Sequence, residues 1–123
     1  MSKRVAVVGA SNDRAKFGNK ALRAFQAEGH IVIPVNPNEH EVEGLTSYPS
    51  VLDIDGPVDM ATVYVQPDVA IRLLDDFERK GISEIWFNPG TETDELMAET
   101  KRRKLNATYA CSVIGIGRDP YQF

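Results

Sequence analysis

The chain has 123 residues, of which 42% are hydrophobic and 26% charged, with a net charge of −4; this composition fits one folded domain, 1–123, and excludes wholesale disorder. No apolar run approaches the ~18 residues of a membrane span, and the run at 5–8 is shorter than the ~7–15-residue apolar stretch of a secretion signal, so the expectation is a cytoplasmic protein with no membrane contact. A single cysteine leaves no internal disulfide, CxxC pair or thiolate zinc cluster, and an acidic chain is a poor general nucleic-acid binder.

The predicted elements alternate along the chain. Residues 3–8 (KRVAVV), 31–35 (IVIPV), 59–65 (DMATVYV), 84–87 (EIWF) and 106–110 (NATYA) read as strands. The most apolar of them are short, β-branched or aromatic and nearly continuous, as when both sheet faces are covered. Between the first two, Phe17, Ala21, Ala24 and Phe25 fall at helical spacing, with Gly29 as a stop. Residues 36–57 are irregular and acidic, with one helical turn expected around 48–52, Pro49 at its first position, and a short edge strand near 44–46. A second helix carries the stripe Val69, Ala70, Leu73, Leu74 and Phe77, closed by Gly81. A third has Thr91 three residues before Asp94 as a capping pattern and ends in the basic run 101–104. The tail after 115 is turn-rich. Strands alternating with helices imply an α/β fold: a Rossmann-like open parallel sheet of about five strands with helices on both faces.

In such a sheet, ligands bind beyond the carboxyl ends of the strands. That rim holds Gly9-Ala10-Ser11-Asn12, Asn36-Pro37, Gln66-Pro67, Asn88-Pro89-Gly90 and Cys111-Ser112. The first segment, with Gly18 near the following helix, has the makings of a phosphate turn, where backbone N–H groups and the positive helix end face an anion. Arg14 and Lys16 lie just beyond it. Residues 1–27 hold six basic side chains against Asp13 alone, while residues 28–78 hold eleven acids against Arg72, so a small polyanion is drawn to this end of the chain.

The dinucleotide fingerprint is not met. Ser11 stands where GxGxxG needs its second glycine, and Asn36-Pro37 replaces the acid that holds an NAD ribose. There is no GxxxxGK[ST] either. The glutamates at 39, 41 and 43 read as loop charges. His30 lies on the opposite rim and His40 has no partner at motif spacing, so neither a catalytic nor a metal-ligand set emerges. Trp86, Phe87, Tyr64 and Tyr109 read as core or rim packing.

The segments 5–11 (VAVVGAS), Lys16-Phe17-Gly18 and 32–37 (VIPVNP), with 48–50 (YPS), Val58-Asp59, Asn88-Pro89-Gly90 and Cys111, resemble the small stand-alone CoA-binding domain family. That family is similar to the N-terminal CoA-binding domain of the succinyl-CoA synthetase α subunit. The resemblance runs from about residue 3 to 111 and implies a coenzyme A or acyl-CoA ligand. It implies Gly9, Ala10, Ser11 and Asn12 at the pyrophosphate, and Arg14 and Lys16, beside Phe17 and Gly18, at phosphate charge. It further implies Asn36, Pro37, Gln66 and Pro67 around the adenosine, and Asn88, Pro89 and Gly90 along the pantetheine. The chain departs from the family's commoner small apolar residue at Gln66. The synthetase's second domain with its phosphorylated histidine, and its partner subunit, find no counterpart in these residues.

Cys111 carries two readings: a small apolar core residue, or a thiolate that exchanges with a CoA disulfide. The expectation is a CoA carrier, sensor or thiol-protecting protein, more a binder than an enzyme, with a homo-oligomer left open. An NAD(P)-linked oxidoreductase-like nucleotide binder and a ligand-independent interaction module are the alternatives.

Overall fold

The computed structural model describes residues 2–123. Five parallel strands form the central sheet: β1 (Arg4–Val8), β2 (Ile31–Val35), β5 (Met60–Val63), β6 (Glu84–Phe87) and β7 (Ala107–Tyr109), in spatial order β2-β1-β5-β6-β7. Between β2 and β5 lies an antiparallel hairpin, β3 (Glu41–Val42) and β4 (Leu45–Thr46). The expected short edge strand is thus one arm of a separate two-stranded ribbon. Strands of two residues are too short for any periodicity to announce them.

The strands alternate between two cores. Ala6 and Val8 of β1, Ile33 and Val35 of β2, and Ile85 and Phe87 of β6 face α2 (Pro67–Lys80) and α3 (Asp94–Arg102), where they meet Ala70, Leu74, Phe77 and Leu96. Val5 and Val7, with Val32 and Met60, face α1 (Phe17–Ala27) and α4 (Ser112–Gly115), where they meet Ala21, Leu22, Phe25 and Val113. Burial on both faces explains why β1, β2 and β5 read as nearly continuous apolar runs. Among the described residues no helix is long and apolar enough to cross a membrane.

Local chemistry sets the ends of the helices. Thr93, rather than Thr91, caps α3, its hydroxyl accepting from the Leu96 N–H. Gly81 closes α2 in the left-handed conformation. The helical turn expected at 48–52 is a 3-10 turn at Val51–Asp53, capped by Ser50, which leaves Pro49 outside it. The apolar stripe on α1 is shifted: Ala21, Leu22, Ala24 and Phe25 are buried, whereas Phe17 is 46% exposed. The tail is more ordered than its composition indicates, forming α4 and a 3-10 turn, Pro120–Gln122, that both lie against α1.

The strand order reverses between β1 and β5. From β1 the chain passes through α1 to β2 on one side, and from β5 through α2 to β6 on the other. The two helices leave from opposite faces, which opens a crevice at the carboxyl ends of β1 and β5.

Candidate functional site

Two cavities occupy that crevice. The first, of about 370 Å³, lies toward α2 and is walled mainly by apolar side chains, among them Val35, Val51, Val65, Val69 and Leu73. The second, of about 250 Å³, lies toward the start of α1, between Lys16-Phe17-Gly18 and Pro89-Gly90-Thr91. Gly9, Tyr64, Val65 and Gln66 line both. They therefore join an apolar chamber to a more polar trough.

The glycines permit this close approach. Gly9 has φ +88°, and a Cβ there would sit 2.5 Å from the Tyr64 carbonyl oxygen. A Cβ on Gly18 would collide with the Gly9 carbonyl oxygen. The turn and the first turn of α1 thus pack backbone to backbone, which only glycine allows at both positions.

Donors at the trough come from the helix more than from the turn. The Gly9 N–H donates to Val35 O at 2.9 Å and the Ala10 N–H to the same oxygen at 3.4 Å. At the start of α1 no side chain caps the helix. The N–H groups of Phe17 and Gly18 have no partner among the described residues. These two orphan donors, the helix dipole and the exposed Lys16 side chain give the trough a positive end.

Several of the other predicted residues have structural partners. The Ser11 hydroxyl accepts from the Asp13 N–H, and Asn12 donates to Glu41 O at 2.8 Å and accepts from the Glu43 N–H at 3.1 Å. Arg14 Nη2 pairs with Glu43 at 2.7 Å. The Arg14 hydrogen bond, followed by that from Asn19, holds the Glu43 carboxyl below its usual range. Glu43 is therefore a latch between the hairpin and the first loop rather than a free loop charge. Asn36 and Pro37 line the chamber, with Asn36 donating to Ala10 O at 2.7 Å. Gln66 lines both cavities, and Pro67 is the first residue of α2.

Asn88 is buried and holds the ends of three elements together. Its Nδ2 donates to Thr62 Oγ1 at 2.8 Å and its Oδ1 accepts from the Ser112 N–H at 2.8 Å. Pro89 and Gly90, not Asn88, line the trough. The Ser112 hydroxyl lies 2.7 Å from Thr62 Oγ1 and 3.3 Å from Tyr64 Oη. Burial pushes the Tyr64 phenol up to about 12. Cys111 is half-buried against the α1-side core with Tyr64 and Trp86, and lines neither cavity.

The sequence pattern does not single out Ser50, Tyr64, Val65 or the cavity face of α2 as site residues. One signal was available: Asp76 interrupts the apolar face of α2 seven residues after Val69.

The chain matches the CoA binding domain family over residues 3–116. It belongs to that family. A curated relative, "Uncharacterized protein YneT" of Bacillus subtilis, is 29% identical over 102 residues, covering 83% of this chain and 76% of that protein. The ADP-forming acetate–CoA ligase of Methanocaldococcus jannaschii is 28% identical over 115 residues, which is 92% of this chain but 16% of the ligase. The chain thus spans about a sixth of that enzyme. Among solved structures, a conserved hypothetical protein from Pyrococcus furiosus superposes with a TM-score of 0.83 at 31% identity, covering 94% of this chain and 99% of that one. The dinucleotide-forming acetyl-coenzyme A synthetase 1 of Ca. Korarchaeum cryptofilum superposes with a TM-score of 0.75 at 29% identity, covering 88% of this chain and 25% of the synthetase.

Proposed function

We propose that the crevice binds coenzyme A or an acyl-CoA, and that the chain acts as a carrier, sensor or thiol-protecting partner without synthetase chemistry of its own. Three of its features fit the three parts of such a ligand. The apolar chamber encloses the adenosine. The Phe17 and Gly18 N–H groups and Lys16 hold the diphosphate, over a floor that Gly9 keeps free of side chain. The trough between Phe17 and Pro89-Gly90 guides the pantetheine arm outward.

The uncapped start of α1 carries this reading. Two unpartnered N–H groups beside a lysine, at the mouth of a cavity continuous with an apolar chamber, suit a diphosphate attached to a flat base. The ligase and synthetase relatives act on CoA according to their names, and the family shares that ligand.

A thermal-shift panel tests the proposal. Coenzyme A should raise the melting temperature with concentration by mass action, and NAD and NADP should not. Lys16→Ala should weaken the CoA response while leaving the unliganded melting temperature unchanged, because Lys16 is exposed. A shift with NADP alone would favour an oxidoreductase-like binder, and no shift with any of the three would favour an interaction module.

A further inference from the structure

We infer that Asp76 and Ser50 read the hydrogen-bonding edge of an aminopurine in the apolar chamber, selecting adenine over a base with a carbonyl at the same position. The inference rests on the CoA reading and assigns it a specificity-determining pair.

Val69, Leu73, Asp76 and Phe77 of α2 all line the chamber. They are spaced i, i+4, i+7 and i+8, so one helical face presents them together. Three are apolar and the fourth is a carboxylate. Asp76 is half-buried, and among the described residues no basic side chain lies within ion-pair distance of it. Its one hydrogen bond comes from the Ser50 hydroxyl to Oδ2 at 3.5 Å, the outer limit of such a contact.

The other polar groups of the chamber are differently placed. Asn36 is engaged through both its amide and its carbonyl, donating to Ala10 O and accepting from the Asn38 N–H. Gln66 is exposed, at the N-terminal boundary of α2. Asp76 therefore keeps spare acceptor capacity in an apolar wall, an arrangement that favours a ligand bringing a donor. Ser50 accepts from the Leu52 N–H at 3.1 Å, which leaves its hydroxyl hydrogen free to turn from Asp76 toward a ring nitrogen.

Adenine offers the matching pattern: an exocyclic amino donor beside an unprotonated ring nitrogen. Asp76 accepts from the amino group and Ser50 donates to the ring nitrogen. Hypoxanthine reverses both partners, setting a carbonyl oxygen against the carboxylate and an N–H against the serine hydroxyl.

Calorimetric titrations with coenzyme A and with its deamino counterpart, which carries hypoxanthine, test this in the wild type, Asp76→Asn and Ser50→Ala. The wild type should bind coenzyme A about tenfold or more tightly than the deamino compound. Asp76→Asn, whose carboxamide both donates and accepts, should bring that ratio toward one, and Ser50→Ala should lower it. Circular dichroism establishes that each variant is folded, and either variant alone suffices for the comparison. Equal affinity of the wild type for the two compounds overturns the inference and leaves CoA binding intact. A preference that persists undiminished in both variants overturns the assignment to these residues. Failure of the wild type to bind either compound overturns the CoA reading and this inference with it.

Discussion

Arg14 Nη2 and Glu43 Oε1 meet at 2.7 Å although 29 residues separate them in sequence. Glu43 also accepts from the buried Asn19 at 3.1 Å and takes up a positive φ of 49° at the tip of the hairpin. The acidic ribbon is thereby fastened to the loop that precedes α1. The Glu43 carboxyl sits below its ordinary value of 4.5, chiefly through the Arg14 hydrogen bond. A carboxylate with a lowered folded pKa stabilises the fold fully above its unfolded value, and that contribution is lost as pH falls through the folded one. Denaturant midpoints measured from pH 6 downward should therefore decline more steeply for the wild type than for Glu43→Gln below about pH 4.5. Parallel curves would show that the latch contributes nothing to stability.

The glycines separate two costs of a side chain. Gly9→Ala meets both a left-handed φ and the Tyr64 backbone, whereas Gly90→Ala has φ +97° with nothing within 4 Å of its Cβ. Strained backbone alone costs about 1–3 kcal/mol. In urea unfolding, Gly90→Ala should fall in that range and Gly9→Ala should exceed it. Equal losses would mean that the contact between Gly9 and Tyr64 relaxes freely.

Asn88 tests whether a rim residue is a ligand contact or a support. Its side chain bonds Thr62, Val63 O and the Ser112 N–H while only 1% exposed. Asn88→Ala leaves the Ser112 N–H without its partner, at a cost of about 1–3 kcal/mol for that group. Unfolding stability should drop by at least this much, with CoA affinity of the folded protein changing far less than it does in Lys16→Ala. The opposite order would return Asn88 to the ligand.

The sheet was legible because its central strands β1 and β5, with β2 beside them, are buried on both faces, and an unbroken run such as Val5 to Val8 has no other comfortable place. The rim followed from strand order alone. The hairpin was hidden because its pairing partners, Glu41 with Thr46 and Val42 with Leu45, form no pattern that repeats. The latch was hidden for a different reason: a bond between Arg14 and Glu43 is a tertiary fact that neither local sequence contains. On α2 the apolar stripe was visible, but its division was not. Ala70 and Leu74 enter the core, Val69 and Leu73 line the chamber, and the buried Phe77 borders both; helical spacing cannot separate two neighbouring surfaces. The Gly9 segment reads in the sequence as a phosphate turn, yet its Gly9 and Ala10 N–H groups donate to Val35 O, and the unpartnered donors that border the trough are those of Phe17 and Gly18.

Tyr64 offers a spectroscopic handle on the crevice. Its phenol is pushed up to about 12, mainly by burial. An ultraviolet titration should show a final tyrosine step near this value, and Tyr64→Phe should remove it. Because the folded pKa exceeds the ordinary value of 10, its contribution to stability is complete below that value and is lost as pH rises toward 12. A final step that survives in Tyr64→Phe would assign it to another tyrosine.

The central claim is that the diphosphate of coenzyme A sits against the start of α1. Backbone amide chemical-shift mapping during titration with coenzyme A reads that position residue by residue. The account predicts that the Phe17 and Gly18 amides shift most, with further changes at Gly9, Val65 and Gly90. Undisturbed Phe17 and Gly18 amides in the presence of saturating ligand, or shifts confined to the far side of the sheet around α3 and β7, would contradict it.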